Sequence, residues 1–420
     1  MLRTLALGCL CAAGFLAPLS AADWPQFRGP TGDGVSTATK VPIEWDADTN
    51  VAWKAPLPRP ANGSPIVSGG RVFVTSAEDA DGKQRSLIWF DAADGKQLWK
   101  QTVQIDKKMP THQTNPYGGT TPAADGERVV VWHASAGLHC YDFAGNSLWS
   151  RQLGEFEHMW GYGTSPILHN GRIYLSSGPG KQIWVAAFDL KTGDTIWQTD
   201  EPINGNGERN ADGKYMGSWS TPIITKIGGQ EQLIAIMPTR VTGYDLQSGK
   251  ILWSASGVSH DRGDLSYSSP VIVDDLCVVT SGFQGVTLAF KLGGAGDLTG
   301  TTLYRNEKSP QNIGSGVTVG GYVYRVNAGP GTIECLDPAT GEIKWTDRAA
   351  GANMWGSLVL AEGRLYVTNQ DGATVVFAPN PAKFDQLAVN KLGESTNSTP
   401  AMTDSHIYLR TAGHLWCIGK

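Results

Sequence analysis

Eight times along the chain a Ser or Thr opens a short apolar run, at Ser64, Thr121, Ser165, Thr221, Ser269, Ser315, Ser357 and Thr399. The intervals are 57, 44, 56, 48, 46, 42 and 42 residues, and Pro follows six of the eight. Self-similarity on that scale means a modular array, in which each unit hides its apolar faces only against its neighbours. A few residues further on stands a pair suited to a tight turn: Gly69-Gly70, Asp125-Gly126, Asn170-Gly171, Asp274-Asp275, Gly320-Gly321, Glu362-Gly363 and Asp404-Ser405. Most of these tolerate the positive φ that a two-residue type I′ hairpin needs. The fourth unit is expected to depart, with a longer connection around Gly228-Gly229. Alternating runs such as Arg71-Val72-Phe73-Val74 follow, and a period of two is the strand signal.

A third strand in each unit ends in Asp, followed by a Gly turn and then Trp: Asp91…Gly95…Trp99, Asp142…Gly145…Trp149, Asp189…Gly193…Trp197, Asp245…Gly249…Trp253 and Asp337…Gly341…Trp345. The Asp side chain caps its own turn, Gly takes the left-handed position, and Trp lands on a fourth strand. Units five and seven have lost this motif, with Tyr304 where a Trp is expected and Ala378-Pro379-Asn380-Pro381 in place of the turn. Four short antiparallel strands, repeated every 40–50 residues or so, define a β-propeller blade. The last unit stops after three strands, and Asn50–Lys54 carries a Trp strand ahead of the first full unit. The prediction is an all-β, eight-bladed β-propeller of four-stranded antiparallel blades, with the ring closed by an N-terminal strand that removes an exposed edge. Seven blades would require one of the decayed units to be a loop.

Residues 1–22 are expected to be a secretory signal: Arg3 supplies the positive start, Leu5 to Leu16 is apolar, and Ser20-Ala21-Ala22 precedes Asp23. That apolar stretch is too short to span a bilayer, and no other segment approaches the roughly 18 residues required. Cys9 stands too early in the run for a lipidated cysteine. Residues 23–48 form an N-terminal arm and 49–420 the propeller. The predicted location is outside the cytoplasm, in the periplasm or extracellular space, possible contact with the outer membrane being peripheral. A formal charge of −5 argues against nucleic acid or an anionic membrane as the main partner. Of the cysteines beyond the leader, Cys140, Cys335 and Cys417 fall in one slot of the repeat, which Ala187, Gly243 and Ala289 fill in other units. That slot wants a small buried residue, and equivalent slots of different blades lie far apart, so structural thiols are expected, with Cys277. The eight histidines show no metal-ligand spacing.

The run Ala187-Phe188-Asp189…Thr192-Gly193…Trp197 resembles the tryptophan-docking repeat of pyrroloquinoline-quinone-type propellers, a repeat shared with BamB-like secreted scaffolds. The opening Trp24-Pro25-Gln26-Phe27-Arg28-Gly29-Pro30 is similar to the leader of secreted propellers of this kind. The resemblance spans residues 23–420 and implies two opposite functions. Catalytic members hold pyrroloquinoline quinone with Ca²⁺, a catalytic Asp and often a disulfide of adjacent cysteines. Scaffold members hold no quinone. This chain lacks adjacent cysteines, and its nearest calcium-like segment is the polar loop from Asn204 to Asp212.

The expected functional face carries the long connections Lys100 to Gly119 and Thr199 to Ser218 and the insertion Glu78 to Ser86, all in units one to four. Loops held by a rigid scaffold are where function concentrates. Near the axis the sequence places Tyr117, His158, Trp160, Tyr162, Trp219, Tyr267 and Trp355 with the amides Asn115, Asn312, Asn353 and Asn397, which are expected either to pack the inter-blade seams or to line a binding funnel. No catalytic residue, metal ligand or cofactor is assigned. The leading expectation is a monomeric, non-catalytic scaffold for envelope or outer-membrane proteins. The alternatives are a pyrroloquinoline-quinone/Ca²⁺ alcohol or sugar dehydrogenase and a carbohydrate-binding propeller.

Overall fold

A computed structural model describes residues 23–349 and 351–419; the predicted signal segment lies outside them. The described chain is an eight-bladed β-propeller. Blade 3 shows the pattern: Ile167–His169, Arg172–Ser176, Ile183–Asp189 and Thr195–Glu201, each antiparallel to the next. The other blades occupy 66–104, 123–151, 223–256, 271–306, 317–347 and 359–391, and blade 8 comprises three strands within 401–418. Its fourth strand is Val51–Pro56, which pairs antiparallel with His414–Ile418 and closes the ring. Two 3₁₀ turns, Ala134–Ala136 and Thr299–Thr301, are the helical elements among the described residues, and no helix there is long and apolar enough to cross a membrane.

The Ser/Thr of each unit forms a belt around the axis. Ser64 N–H donates to Thr121 Oγ1, Thr121 to Ser165 Oγ, Ser165 to Thr221 Oγ1, Ser269 to Ser315 Oγ, Ser315 to Ser357 Oγ, Ser357 to Thr399 Oγ1 and Thr399 to Ser64 Oγ, all at 2.9–3.2 Å. At the remaining junction Ser269 Oγ donates to Thr221 O at 2.8 Å. Inner strands of a propeller splay toward the axis without pairing to each other, so their first N–H groups need partners. A β-hydroxyl is short enough to reach the neighbouring blade, and it prevents a buried orphan donor.

The rim is sealed by the Trp residues. Trp53, Trp99, Trp149 and Trp197 each donate their indole N–H to a carbonyl of the next blade, at Ala92, Phe143, Leu190 and Leu246. Each ring covers that blade's turn glycine, as Trp149 covers Gly193, so the blades dock edge on face. The decayed units keep this function by other means. Tyr304 lies over Gly341, and Asn380 O in the Pro-rich turn accepts the Trp345 indole N–H at 2.8 Å. Trp253 differs: its indole bonds to Gln232 within its own blade, and the extra strand Gly296–Asp297 pairs in parallel with Ile251–Ser256, making blade 4 five-stranded. The expected longer connection in unit four is corrected. Gly228-Gly229 is itself a two-residue turn with φ of 57° and 89°, between Ile223–Ile227 and Gln230–Ile236, whose greater length carried the turn further along the sequence.

The arm crosses the face that bears these first hairpin turns. Trp24 bridges to Val67 of blade 1, Gln26 Oε1 accepts from Leu168 N of blade 3, and Val35 bridges to Leu360 of blade 7. Arg28 is buried and donates to the carbonyls of Gly32, Asp33 and Gly316; loss of hydration lowers its pKa to about 10. One face of the ring is thereby strapped by sequence-local chain, and the opposite face is left to the long loops.

Candidate functional site: a two-sided axial cavity

Residues exactly two positions before each belt residue converge on the axis, because side chains of extended chain alternate in direction and the belt hydroxyls already turn sideways to the neighbouring blade. These are Asn62, Gly119, Gly163, Trp219, Tyr267, Ile313, Trp355 and Asn397, and all eight line one cavity of about 440 Å³. Loop residues His112, Thr114, Asn115, Trp160 and Gln311, the turn residue Phe283, Phe27 from the arm, and the belt residues other than Ser269 complete it. Phe27 reaches the cavity from the strapped face, so the well opens toward the long loops.

One side of the cavity is aromatic. The segments Tyr215–Ser218 and Gly263–Ser266, which lead into blades 4 and 5, pair in parallel and set the next residues, Trp219 and Tyr267, side by side with ring centroids 5.4 Å apart. Trp219 meets Trp160 at 5.9 Å, and Trp160 lies nearly parallel to Phe283 at 6.2 Å and 9°. Gly163 leaves space that Trp219 uses, its ring carbon standing 3.3 Å from where a Cβ would be. The other side is built of amides. Gln370 Nε2 donates to Asn397 Oδ1, Asn397 Nδ2 to Asn62 Oδ1, Asn62 Nδ2 to Asn115 Oδ1, and Asn115 Nδ2 to the carbonyls of Trp160 and Tyr162. The chain of bonds fixes which end of each amide is oxygen.

The remaining sequence-nominated residues stand away from this wall. His158 is buried behind it: its Nδ1 accepts from Trp160 N–H at 3.1 Å, its Nε2 donates to Met216 O at 3.2 Å, and its ring meets Trp219 edge-on at 4.8 Å. Both bonds require the neutral imidazole, and burial lowers its pKa accordingly. Tyr162 turns into the seam of blades 2 and 3, where its hydroxyl donates to Ser177 O and accepts from Trp132 Nε1. Tyr117 donates to Met109 O and lies under the Arg85 guanidinium, pinning the blade 1 insertion. Asn312, one residue off the lining position, is buried and donates to Val326 O, and Asn353 is exposed on its loop. Trp160, Trp219, Tyr267, Trp355 and Asn397 line the cavity. Asn62, Ile313 and Phe283 were missed, although counting back two residues from each belt position finds the first two.

The lining does not fit pyrroloquinoline quinone with Ca²⁺. That cofactor needs cations for its carboxylates and hard anionic oxygens for its metal, whereas the lining contains no Lys, Arg, Asp or Glu. Two of the amide oxygens of the Asn204–Asp212 loop are spent locally: Asn206 Oδ1 accepts from Glu208 N and Arg209 N, and Asn210 Oδ1 from Asp212 N and Lys214 N. Among the described residues no group of three His, Cys, Asp or Glu converges on a metal position, and Cys140, Cys277, Cys335 and Cys417 are buried free thiols.

The architecture defines a tryptophan-docked eight-bladed propeller with an uncharged axial well. Its sequence matches the family described as outer membrane protein assembly factor BamB over residues 35–115, 83–347 and 295–418, and the chain belongs to that family. BamB of Burkholderia pseudomallei (strain K96243) is 22% identical over 365 residues, covering 75% of this chain and 84% of that protein. The crystal structure of BamB from Moraxella catarrhalis superposes with a TM-score of 0.59 at 14% identity, over 88% of this chain and 99% of that one. The quinohemoprotein alcohol dehydrogenase of Comamonas testosteroni superposes with a TM-score of 0.66 at 13% identity, over 95% and 80%. At such identities these structural likenesses establish the fold alone.

Proposed function

We propose that this chain is a non-catalytic scaffold of the cell envelope that binds protein partners through its long-loop face. The observation that carries the reading is that the loops of blades 1 to 4 are knitted into one platform. Lys108 pairs with Asp81 of the blade 1 insertion, and Lys107 pairs with Glu155 and Glu157 of the next connection. Met159 N donates to Glu208 Oε1 of the connection after that. Exposed pairs of this kind are each worth only about 0–1 kcal/mol. They orient loops without adding much stability to the rim. Family membership supports partners in outer-membrane assembly and a site of action outside the cytoplasm, and the poor fit to a quinone removes the chief reason to assign redox chemistry.

The test is capture from envelope extracts with the wild-type chain and with a variant whose residues 106–116 are replaced by a short Gly/Ser linker. Recovery of a defined outer-membrane protein by the wild type alone is the expected result. Equal recovery by both chains, or dye reduction after loading with pyrroloquinoline quinone and Ca²⁺, would remove the proposal.

A further inference from the structure

We propose that the axial well is a binding site for a neutral saccharide, whose C–H face lies on the aromatic wall of blades 3 to 5 while its hydroxyls meet the amide wall of blades 8, 1 and 2. The site goes beyond the scaffold reading and does not depend on it.

Three properties of the well select this ligand class. The first is its two-sidedness. A pyranose ring has an apolar face of C–H groups and a rim of hydroxyls, and the well offers Trp219, Trp160 and Phe283 across the ring from Asn397 and Asn62, with Asn115 joining the two walls at the Trp160 carbonyl. The second is the spare hydrogen-bonding capacity of the amides. Both N–H groups of Asn62, Asn115 and Asn397 already donate within the protein, and each side-chain oxygen accepts one hydrogen bond, so a lone pair on each remains. A wall of acceptors suits hydroxyl donors and repels phosphate and carboxylate. The third is neutrality. With no Lys, Arg, Asp or Glu in the lining, an entering peptide terminus or acidic cofactor would carry an unpaired charge into the well, whereas the end of a neutral glycan carries none. A well of about 440 Å³, blocked at the arm side by Phe27, accepts a ligand end rather than a chain running through.

Phe283 supplies an independent indication. It has φ of 56°, in the left-handed region, and so does Gln284 at 61°, yet the residue is 39% exposed at the well. A bulky residue in that conformation is strained, and core burial does not compensate for it here. Such strain, kept at a cavity mouth, points from the outlier to a ligand. The rest of the wall is preorganised, since His158 holds Trp160 by its backbone N–H and buttresses Trp219.

The test uses the full chain without its first 22 residues, an array of neutral and acidic glycans, and calorimetric titration with glucose, galactose, mannose, N-acetylglucosamine and their β-1,4 disaccharides. Glucuronate and glucosamine serve as charged counterparts. At least one neutral saccharide should bind saturably, its charged counterpart at least about tenfold more weakly, and Trp160→Ala should weaken binding at least about tenfold, the scale of losing one stacking partner. Because Trp160→Ala also removes packing, Phe283→Gly is the decisive variant. It relieves the left-handed strain, so its melting temperature should equal or exceed that of the wild type while its affinity falls. Absence of saturable binding by every neutral glycan, preference for the charged counterparts, or unchanged affinity in both variants would overturn the proposal.

Discussion

Positions two residues apart in each blade have had opposite fates. The belt position is Ser or Thr in all eight units, because at seven junctions it presents its N–H to the neighbour's hydroxyl and at the eighth its hydroxyl donates to the neighbour's carbonyl. The position before last, facing the axis, is Asn, Gly, Gly, Trp, Tyr, Ile, Trp and Asn around the ring. The ring imposes no bond on it, so the eight residues are free to differ, and they segregate into an aromatic side and an amide side. Where a repeat is uniform it reports structure. Where symmetry is broken at a shared, inward-facing position, it marks the place to look for a ligand.

The sharpest way to break this comparison is at the rim, where the Asp…Gly…Trp motif recurs in five units. In Gly193 (φ 72°) an added Cβ would stand 2.6 Å from the Trp149 ring, so Gly193→Ala should destabilise the protein by about 2–5 kcal/mol, the sum of overpacking and left-handed strain. A urea titration followed by tryptophan fluorescence measures it. Next comes the belt itself. Ser357→Ala leaves Ser315 N–H buried without its acceptor and should cost about 1–3 kcal/mol, whereas Ile313→Thr, on the wall, should cost less than about 1 kcal/mol. If the two variants melt together, uniformity of the repeat does not report structural constraint.

A smaller effect is expected from pH. His133, His139 and His158 are buried, and desolvation lowers each pKa below its ordinary value; His133 is also opposed by His139 and the Arg85 guanidinium. The unfolded chain takes up protons near pH 6.5 that the folded chain refuses, so stability is full above that pH and declines as pH falls from about 7 toward 5. Melting temperatures across this window should decline less steeply for His133→Gln. An identical slope in both proteins would show that the His133 imidazole is not held neutral by the fold.

Much of this was legible beforehand because a repeat states its rules several times. The Asp caps behave as the spacing predicted, with Lys191 N and Thr192 N donating to Asp189 Oδ1 and Ala339 N to Asp337 Oδ1. The closing strand was visible as the missing quarter of the last blade. The well was only half legible. Aromatic type drew attention to Trp219, Tyr267 and Trp355, but it also drew in Tyr117 and Tyr162, whose hydroxyls are spent on Met109 and Ser177 in the seams. Residue type alone does not separate a seam aromatic from a wall aromatic; direction along the strand does, and a single-residue offset sent Asn312 into the core while Ile313 faces the axis.

Strand period, turn chemistry and the Trp spacing are local, so the amino-acid order by itself determined that this protein is a closed ring of eight blades. The contents of the hub were decided only in three dimensions. Asn397, Asn62 and Asn115 are separated by hundreds of positions along the chain or by a whole blade, yet they share hydrogen bonds because closure brings blade 8 against blade 1. Phe27 closes the well because the arm is strapped across one face through contacts with blades 1, 3, 6 and 7. Hydrogen bonds between residues so distant depend on the geometry of the whole ring, and no local rule of spacing encodes them.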